Sequence, residues 1–193
     1  MQEHNGDRDT QPKWERQAAR RQFLWIAAYK PRSNAQLKGT GTGILIPYDA
    51  IEQKKGESPE EARDRVRKSA SSDRAGRVCS VRLLLGGTYI RVTSAYAPAK
   101  MHAQRPRFFS STLAPHVTHR TLLMVDANCV PDVSRDVKRN AVTPYENAGA
   151  QELMDMVLGK DLLDAARETL GDVPHFTSHH NTTRIPTLTT TPI

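Results

Sequence analysis

Thr121 to Val137 reads TLLMVDANCVPDVSRDV, and this stretch organises the interpretation of the whole chain. A short apolar run, Leu122 to Val125, ends in the polar tripeptide Asp126-Ala127-Asn128, and Pro131 follows in the loop beyond it. Apolar residues bounded by turn-forming residues are typical of a buried strand. The pattern therefore predicts a strand that delivers a carboxylate and an amide to its carboxyl end, where a loop can face a ligand. A strand followed by a hydrophilic turn explains the same residues, because Asp and Asn favour turns, and this segment alone favours that simpler interpretation.

Composition bounds the class of protein before any further motif is considered. The 193 residues suit one domain with a modest core, since 37% are hydrophobic and 6% are aromatic. No apolar run has membrane-spanning length and the N-terminal segment lacks a secretory signal, so we expect a nuclear or cytoplasmic protein with no membrane partner. Cys79 and Cys129 have no CxxC spacing, and we expect small buried residues rather than metal ligands or a disulfide pair.

The charge balance points to a polyanionic partner. Lys and Arg number 28 against 21 Asp and Glu, which gives a formal charge of +7. Nucleic acid is the first expectation, because Lys and Arg that neutralise phosphates release counterions. Basic charge dispersed over a solvated surface is the competing explanation.

Periodicity and turn residues predict a mixture of strands and helices. The predicted strands cover residues 23–29, 43–47, 76–85 and 88–95, and the predicted helices cover residues 12–21, 59–68, 106–117 and 145–158. Gly86-Gly87 joins two β-rich runs and predicts a hairpin, because both glycines can take positive φ. Continuous apolar character in residues 43–47 indicates a central strand covered on both faces. The hairpin and the irregular order of elements favour an α+β fold with a mixed sheet.

Helix faces and ends can also be predicted. Trp14, Ala18 and Ala19 are expected to face inward from the first helix. In the third helix Pro115 is expected to distort or end the helix, and Gly159 is expected to cap the last one. The apolar residues of the third and last helices fall at helical spacing and are expected to pack inward: Phe108, Phe109, Leu113, Val117, Leu153, Met156 and Val157. Residues 161–167 read as a short helical turn or a buried connector.

The charged segment 49–75 interrupts the pattern of strands. Within it Ser58-Pro59-Glu60-Glu61 has the S-x-x-E form of a capping box with proline at the first helical position, which predicts the helix at residues 59–68. The basic residues of this helix are Arg63, Arg65, Arg67 and Lys68. This flank is either a nucleic-acid contact or a solvated face, and charged runs are more often the latter.

Short motifs spread along nearly the whole chain match the pattern of one family. They are Met1-Gln2-Glu3 against "LQE", Gly76-Arg77-Val78 through Ser94-Ala95-Tyr96-Ala97-Pro98 against "GR…N-x-Y-x-P", Leu123-Met124-Val125-Asp126-Ala127-Asn128 against "GDFN", Leu162 to Arg167 against "L-x-D-x-(W/F)-R", His175-Phe176-Thr177 against "(Y/F)-T", and Thr183-Arg184-Ile185 against "S-R-I-D". The chain thereby resembles the endonuclease/exonuclease/phosphatase superfamily, which has the DNase I-like fold. The "YAP" motif and the Phe-Phe helix after it look most like the endonuclease domains of non-LTR retrotransposons.

The resemblance implies a fold and an activity. The fold would be α/β (α+β), a four-layer sandwich of two packed mixed β-sheets flanked by helices and incomplete at both termini. Residues 1–193 would form a single truncated domain with a charged helical insertion at about 49–75. The activity would be Mg²⁺-dependent (or Mn²⁺-dependent) hydrolysis of a nucleic-acid phosphodiester, with DNA as the expected substrate and nicking as the outcome. No obligate protein partner is implied.

The resemblance also assigns roles to individual residues. Glu3 corresponds to the metal-binding carboxylate, and Asp126 to the acid that orients or deprotonates the attacking water. Asn128 corresponds to the neutral amide that holds the scissile phosphate. Tyr96 corresponds to a hydroxyl donor to the phosphate or leaving group, and Arg184 fits either a phosphate contact or a structural ion pair.

The chain departs from the family pattern in ways that predict weak or absent activity. The Asp of "S-R-I-D" falls on Pro186, and the closing "S-D-H" and the first family strand have no counterpart. His175, His179 and His180 lie near these positions but in another motif, without the spacing of a metal site. Two alternatives therefore stay open: a non-catalytic retroelement-derived remnant that binds nucleic acid, and a phosphoesterase acting on inositol phosphates or a sphingolipid.

Overall fold

The computed structural model describes residues 10–29, 41–132, 136 and 144–171, and they form a mixed α/β structure with two open sheets. The strands are β1 (Phe23–Ala28), β2 (Thr42–Pro47), β3 (Ser71–Ser72), β4 (Val78–Leu85), β5 (Thr88–Tyr96) and β6 (Thr121–Asp126). The helices are α1 (Gln11–Arg20), α2 (Pro59–Lys68), α3 (Arg105–Arg107), α4 (Pro144–Asn147), α5 (Ala150–Gly159) and α6 (Ala165–Leu170). No helix in these ranges combines the length and the apolar composition that crossing a bilayer requires.

The two sheets differ in size and in strand direction. β1 and β2 form an antiparallel pair, and the second sheet has the order β3-β4-β5-β6. β4 pairs antiparallel with both β3 and β5, whereas β5 and β6 are parallel, so the predicted mixed sheet is confirmed. The predicted hairpin is also confirmed: Leu85 pairs with Thr88, and Gly86 and Gly87 have φ of 57° and 73°. The parallel pairing places the carboxyl ends of β5 and β6 side by side.

One hydrophobic core joins the two sheets. It is built from alternate residues of β1, β2 and β4 together with the apolar side of α2, and its members are Leu24, Ile26, Ala28, Ile44, Ile46, Ile51, Ala62, Val66, Cys79, Val81, Leu83 and Val92. On the opposite face of the first sheet Trp25 lies over Gly43, where an added Cβ would lie 2.2 Å from the indole ring. Gly43 is therefore required by close packing.

A second core covers the other face of the four-stranded sheet. Val78 and Ala95, which alternate with the residues of the first core, pack here against the segment between β5 and β6 and against α5. The remaining buried members are Ala97, Phe108, Phe109, Leu113, Val117, Leu153 and Met156. The predicted inward faces of the third and last helices are thus confirmed, apart from Val157, which is half-buried. The middle segment itself is less regular than predicted, because α3 continues into a π-helix, Phe108–Leu113, and a 3₁₀ turn, Ala114–His116.

The sequence predicted the start of α2 correctly but not the buried face of α1. In α2 the predicted capping box is present, since Ser58 Oγ accepts the N–H of Glu61 at 3.3 Å and the Glu61 carboxylate accepts the N–H of Ser58 at 2.8 Å. In α1 only Ala18 is buried, so the predicted inward positions of Trp14 and Ala19 were wrong. α1 rests on β1 alone through a narrow stripe, and the Trp14 ring reaches the Trp25 ring at 6.5 Å from outside.

Three further predictions were wrong in detail. β2 belongs to a two-stranded sheet and exposes Leu45, so it is not a central strand in the part of the chain described. β6 is the last strand of the second sheet within the described residues and exposes Leu122 (55%) and Met124 (39%), so it is half-buried rather than buried. The last predicted helix is divided, because Gly149 takes φ of 88° between α4 and α5.

The end of α5 and the connector after it also differ from the prediction. Gly159 is the final residue of α5, and Asp161, with φ of 54°, is the residue after it that takes the left-handed conformation. Of the two alternatives for residues 161–167, the helical turn is confirmed in part, because α6 begins at Ala165, whereas the buried connector is not, because Leu163 is exposed.

Candidate active site

Tyr96 and Asp126 lie side by side at the carboxyl ends of β5 and β6. The two residues are partners in the parallel register, and the next residue of the first strand, Ala97, donates its N–H to Asp126 O at 2.9 Å. Asp126 is thus the last residue of a strand, as the sequence predicts, and Asn128 lies in the loop just beyond it. We call the group Arg77, Tyr96, Asp126 and Asn128 the Tyr96 site.

The turn after β6 is closed by the two polar side chains that the sequence singles out. Asp126 Oδ1 accepts the N–H of Asn128 at 3.1 Å, and Asn128 takes a left-handed backbone with φ of 49°. Asn128 Nδ2 donates to the carbonyl of Ala97 at 3.0 Å, which ties this loop to the chain leaving β5. Asp126 Oδ2 makes no hydrogen bond within the described ranges. The carboxylate is therefore fixed through one oxygen while the other is open to further chemistry.

Arg77 is the remaining residue of the Tyr96 site and lies directly before β4, the strand next to β5. Its carbonyl accepts the N–H of Tyr96 at 2.9 Å. Its guanidinium donates to the carbonyl of Tyr96 at 3.3 Å and lies 5.7 Å from the centre of the Tyr96 ring. Both residues are at least nine-tenths buried, and burial lowers the pKa of Arg77 from its ordinary value. Arg77 therefore contacts both the backbone and the ring of Tyr96.

A tight turn sets the position of Arg77. The Asp73 carboxylate accepts the N–H groups of Ala75, Arg77 and Val78 at 3.1, 2.6 and 2.8 Å, and Gly76 takes φ of 69° within the turn. Three backbone donors on one carboxylate make a rigid loop. The turn borders a cleft of about 350 Å³ whose walls include Arg77, Pro98, Gln104, Arg107, Phe108 and Thr112.

Arg105 organises the loops around the site from beneath. It is 3% exposed, and its guanidinium donates to the carbonyls of Pro98, Ala99 and Tyr145, each at 2.7 Å. These bonds connect the segment after β5 to α4. The loop after β6 is attached to the same helix, because Val130 donates its N–H to Glu146 O at 3.0 Å. Burial lowers the pKa of Arg105, and the nearby Cys129 and Asp126 oppose that effect.

Cys129 is unsuited to act as a nucleophile beside Asp126. Both cysteines of the chain are free thiols, and burial raises the pKa of Cys129 to about 11, with the Arg105 cation opposing this and the Asp126 carboxylate reinforcing it. The thiolate is the reactive form of cysteine, so a thiol with this pKa stays protonated at neutral pH. The chemistry of the site therefore depends on oxygen and nitrogen groups.

The described ranges contain no group of three or more His, Cys, Asp or Glu residues arranged to hold a metal ion. The donors that are present nevertheless suit a hard cation. Carboxylate and amide oxygens are what Mg²⁺ prefers, and it retains several waters, so one or two carboxylates suffice. Glu3 and Arg184 lie outside the described residues, as do Pro186 and the three histidines of the C-terminal segment.

Sequence reasoning missed two residues of the site. Arg77 is part of the quoted "GR" motif but had no predicted role, and Arg105 was not singled out. A weak signal for Arg77 is its position directly before a β-rich run, next to a glycine. For Arg105 the sequence offers no signal, because its acceptors are backbone carbonyls in two separate segments of the chain, Pro98-Ala99 and Tyr145.

Comparison with known proteins does not identify a relative. The chain matches no protein-family model and no curated protein.

Proposed function

We propose that the chain is a metal-dependent phosphodiesterase that acts on nucleic acid, with duplex DNA nicking as its reaction. The observation that carries this proposal is the adjacency of Tyr96, Asp126 and Asn128 at the carboxyl ends of two parallel strands. Active sites of open α/β sheets favour this position. The fold that goes with this function is the four-layer sandwich, and a core on each face of the four-stranded sheet supports it.

Hydrolysis of a phosphodiester needs a placed water, a base and neutralisation of the developing charge. Asp126 Oδ2, which is open, would accept a proton from the water as the water oxygen bonds to phosphorus and the bond from phosphorus to the leaving oxygen breaks. Oδ1 keeps the carboxylate oriented through Asn128 N–H, and the Tyr96 hydroxyl would donate to the leaving oxygen. Asn128 uses one amide N–H on Ala97, and the second N–H would donate to a phosphate oxygen. The buried guanidinium of Arg77 next to Tyr96 would favour the protein–phosphate contact electrostatically.

Glu3, which lies outside the described residues, would hold a Mg²⁺ or Mn²⁺ ion next to the Asp126 carboxylate. When bound, the ion supplies Lewis-acid stabilisation of the phosphate charge. Low turnover is part of the proposal, because Pro186 stands where the resembling family has a carboxylate.

The decisive experiment is conversion of supercoiled plasmid to the nicked form with Mg²⁺ present. The wild-type chain should nick slowly, and Asp126→Ala should abolish nicking because the proton acceptor is removed. The matched control is Asp155→Ala, which removes an exposed carboxylate from α5. Nicking that persists in Asp126→Ala would overturn the proposal.

A binding role without cleavage is the second candidate. It is favoured by the hydrogen bonds that commit Asp126 Oδ1 and Asn128 Nδ2 to the turn, which show that both side chains have a structural use. Salt-dependent duplex binding with no nicking in prolonged incubations would support this candidate over the first.

A further inference from the structure

Tyr89, near the amino end of β5, is surrounded by positive charge. Its exposed ring has Lys54 Nζ at 5.6 Å, Arg82 Cζ at 5.8 Å and Arg65 Cζ at 5.9 Å from its centre. It borders a cleft of about 390 Å³ between α2 and the β4–β5 hairpin. We call this group the Tyr89 cleft; its lining residues are Glu61, Asp64, Arg65, Lys68, Ser69, Arg82 and Tyr89.

The acidic residues of the Tyr89 cleft are committed to other partners. Glu61 closes the capping box through the N–H of Ser58, and Asp64 pairs with Arg67 at 2.6 Å. By contrast, Lys68 and Arg82 form no ion pair within the described ranges. The cleft therefore presents cations whose charge is not neutralised by a bonded carboxylate.

Arg65 has only part of its hydrogen-bonding capacity satisfied. Its Nε and one terminal nitrogen donate to the Glu57 carboxylate at 2.9 and 3.0 Å, and the latter nitrogen also donates to Glu52 O at 2.7 Å. The other terminal nitrogen is buried and has no acceptor among the described residues. A buried, charged donor without an acceptor is unfavourable, and Arg65 lines the cleft, so an anion bound there would offset this cost through its charge.

The hairpin itself places like charges opposite each other. Arg82 and Arg91 are cross-strand partners, and side chains in such a pair lie on the same face of the sheet. Like charges in this arrangement are destabilising unless a counter-charge lies nearby. The same field acts on Tyr89, whose pKa is lowered chiefly by its interaction with Lys54.

We propose that the Tyr89 cleft binds a phosphate group. Arg82 offers a planar guanidinium that matches phosphate oxygens, Lys68 adds a point charge, and the Tyr89 hydroxyl adds a neutral donor. Tyr89 and Tyr96 lie near opposite ends of the nine-residue β5, so about 20 Å separates this site from the candidate active site. The proposal consequently does not depend on the proposed catalytic function.

The test is a titration of the full chain with inorganic phosphate. Binding is monitored by two-dimensional NMR through the signals of the backbone N–H groups of Arg82 and Tyr89. The variant Lys68→Gln/Arg82→Gln should weaken binding about tenfold or more, since two charge-assisted hydrogen bonds are lost. The control Arg16→Gln/Arg20→Gln removes the same charge from the exposed face of α1 and should change the affinity less than about twofold. Arg82→Lys, which keeps the charge and the backbone bonds to Ser69 but loses the planar guanidinium, should weaken binding less than Lys68→Gln/Arg82→Gln does.

A parallel titration with short duplex DNA distinguishes the sources of the phosphate. If the cleft takes a phosphodiester backbone, Lys68→Gln/Arg82→Gln weakens duplex binding more than the control does. If it takes a free phosphate group, only the inorganic phosphate titration responds. The proposal is overturned if the cleft variant and the control behave alike in both titrations. Asp126→Ala should leave the phosphate titration unchanged, which separates this result from any failure of the catalytic proposal.

Discussion

Arg105 and Arg65 perform contrasting tasks near the two ends of β5. Arg105 lies beneath the Tyr96 site and donates only to backbone carbonyls, three of them at 2.7 Å. Arg65 lies beside Tyr89 and donates mainly to a carboxylate, that of Glu57. One guanidinium is enclosed by loops that it connects, whereas the other is part of a network of charged side chains at the surface.

The difference shows that an arginine can either hold the loops of a site in place or supply charge to it. Neutral carbonyls leave the charge of Arg105 uncompensated by a bonded acid, so its field extends to Asp126 while its geometry holds three segments together. A carboxylate partner neutralises most of the charge of Arg65 and leaves one terminal nitrogen without an acceptor among the described residues. The Tyr96 site should therefore depend on Arg105 for its shape, whereas the Tyr89 cleft should tolerate the loss of Arg65.

The largest expected effect comes from Arg105→Met. Removing the guanidinium leaves one buried and two partly buried carbonyls without their donor, and we expect a loss of about 3 kcal/mol in the free energy of unfolding. Chemical denaturation measures it, with Arg107→Met as the control because that arginine is exposed. A loss for Arg105→Met no greater than the control's would contradict the enclosed role of Arg105.

Gly149→Ala should have the next largest effect, because it disturbs the packing around Arg105. The added Cβ would lie 2.7 Å from Arg105 Cβ and 2.9 Å from the Phe109 ring, and the residue would have to keep φ of 88°. We expect a loss of about 1 to 3 kcal/mol, measured in the same denaturation experiment. Gly87→Ala, which has positive φ and open space around it, is the matched control that separates backbone strain from the steric contact. Equal losses in the two variants would show that the contacts with Arg105 and Phe109 add no cost beyond the backbone strain.

Arg65→Met should cost less than either substitution at the Tyr96 site. The ion pair with Glu57 is partly exposed, and such pairs contribute up to about 1 kcal/mol. The difference from wild type should shrink at high salt, because added ions screen the pair. Thermal unfolding at two salt concentrations measures this, and a loss as large as that of Arg105→Met would erase the contrast between the two arginines.

The smallest expected effect is on the loss of thermal stability at acidic pH. Hydrogen bonding to Arg65, followed by the N–H of Lys54, lowers the pKa of Glu57 from 4.5 to about 2. A lowered pKa in the folded state contributes stability that is present above pH 4.5 and is lost as the pH falls toward 2. Glu57→Gln should therefore flatten the decline in thermal stability between these values, whereas Asp155→Asn should not. If Glu57→Gln loses thermal stability at acidic pH as steeply as the wild type does, the ion pair of Glu57 with Arg65 does not stabilise the fold.

The sequence predicted those features that depend on neighbouring residues. The capping box of Ser58 and Glu61 and the Gly86-Gly87 hairpin are local, so their chemistry is visible in a few letters. The position of Asp126 at a strand end was predicted for the same reason. That Tyr96 lies opposite Asp126 follows from a parallel pairing across a long connection, and only the family resemblance suggested that these residues act together.

What the sequence could not predict depends on burial. Arginines are usually exposed, so a charged residue gives no indication that it will be enclosed, and Arg77 and Arg105 were missed on this account. The exposure of Leu122 and Met124 was missed for the opposite reason, because an apolar run is the same on an edge strand and on a central one. The order of strands decides the exposure of β6, and the packing of segments distant in sequence decides the burial of Arg105; local patterns contain neither.

The reactivity of the Cys79 thiol can be used to measure how often the first core opens. Its side chain is 1% exposed between the two sheets, and burial raises its pKa to about 12. Alkylation of this thiol therefore requires the first core to separate transiently, so its labelling rate at a given pH measures how often the sheets part. Cys129, which is half-buried with a pKa of about 11, should react sooner and report on the loop after β6. One labelling time course would thus follow the stability of the core and the mobility of the candidate site separately.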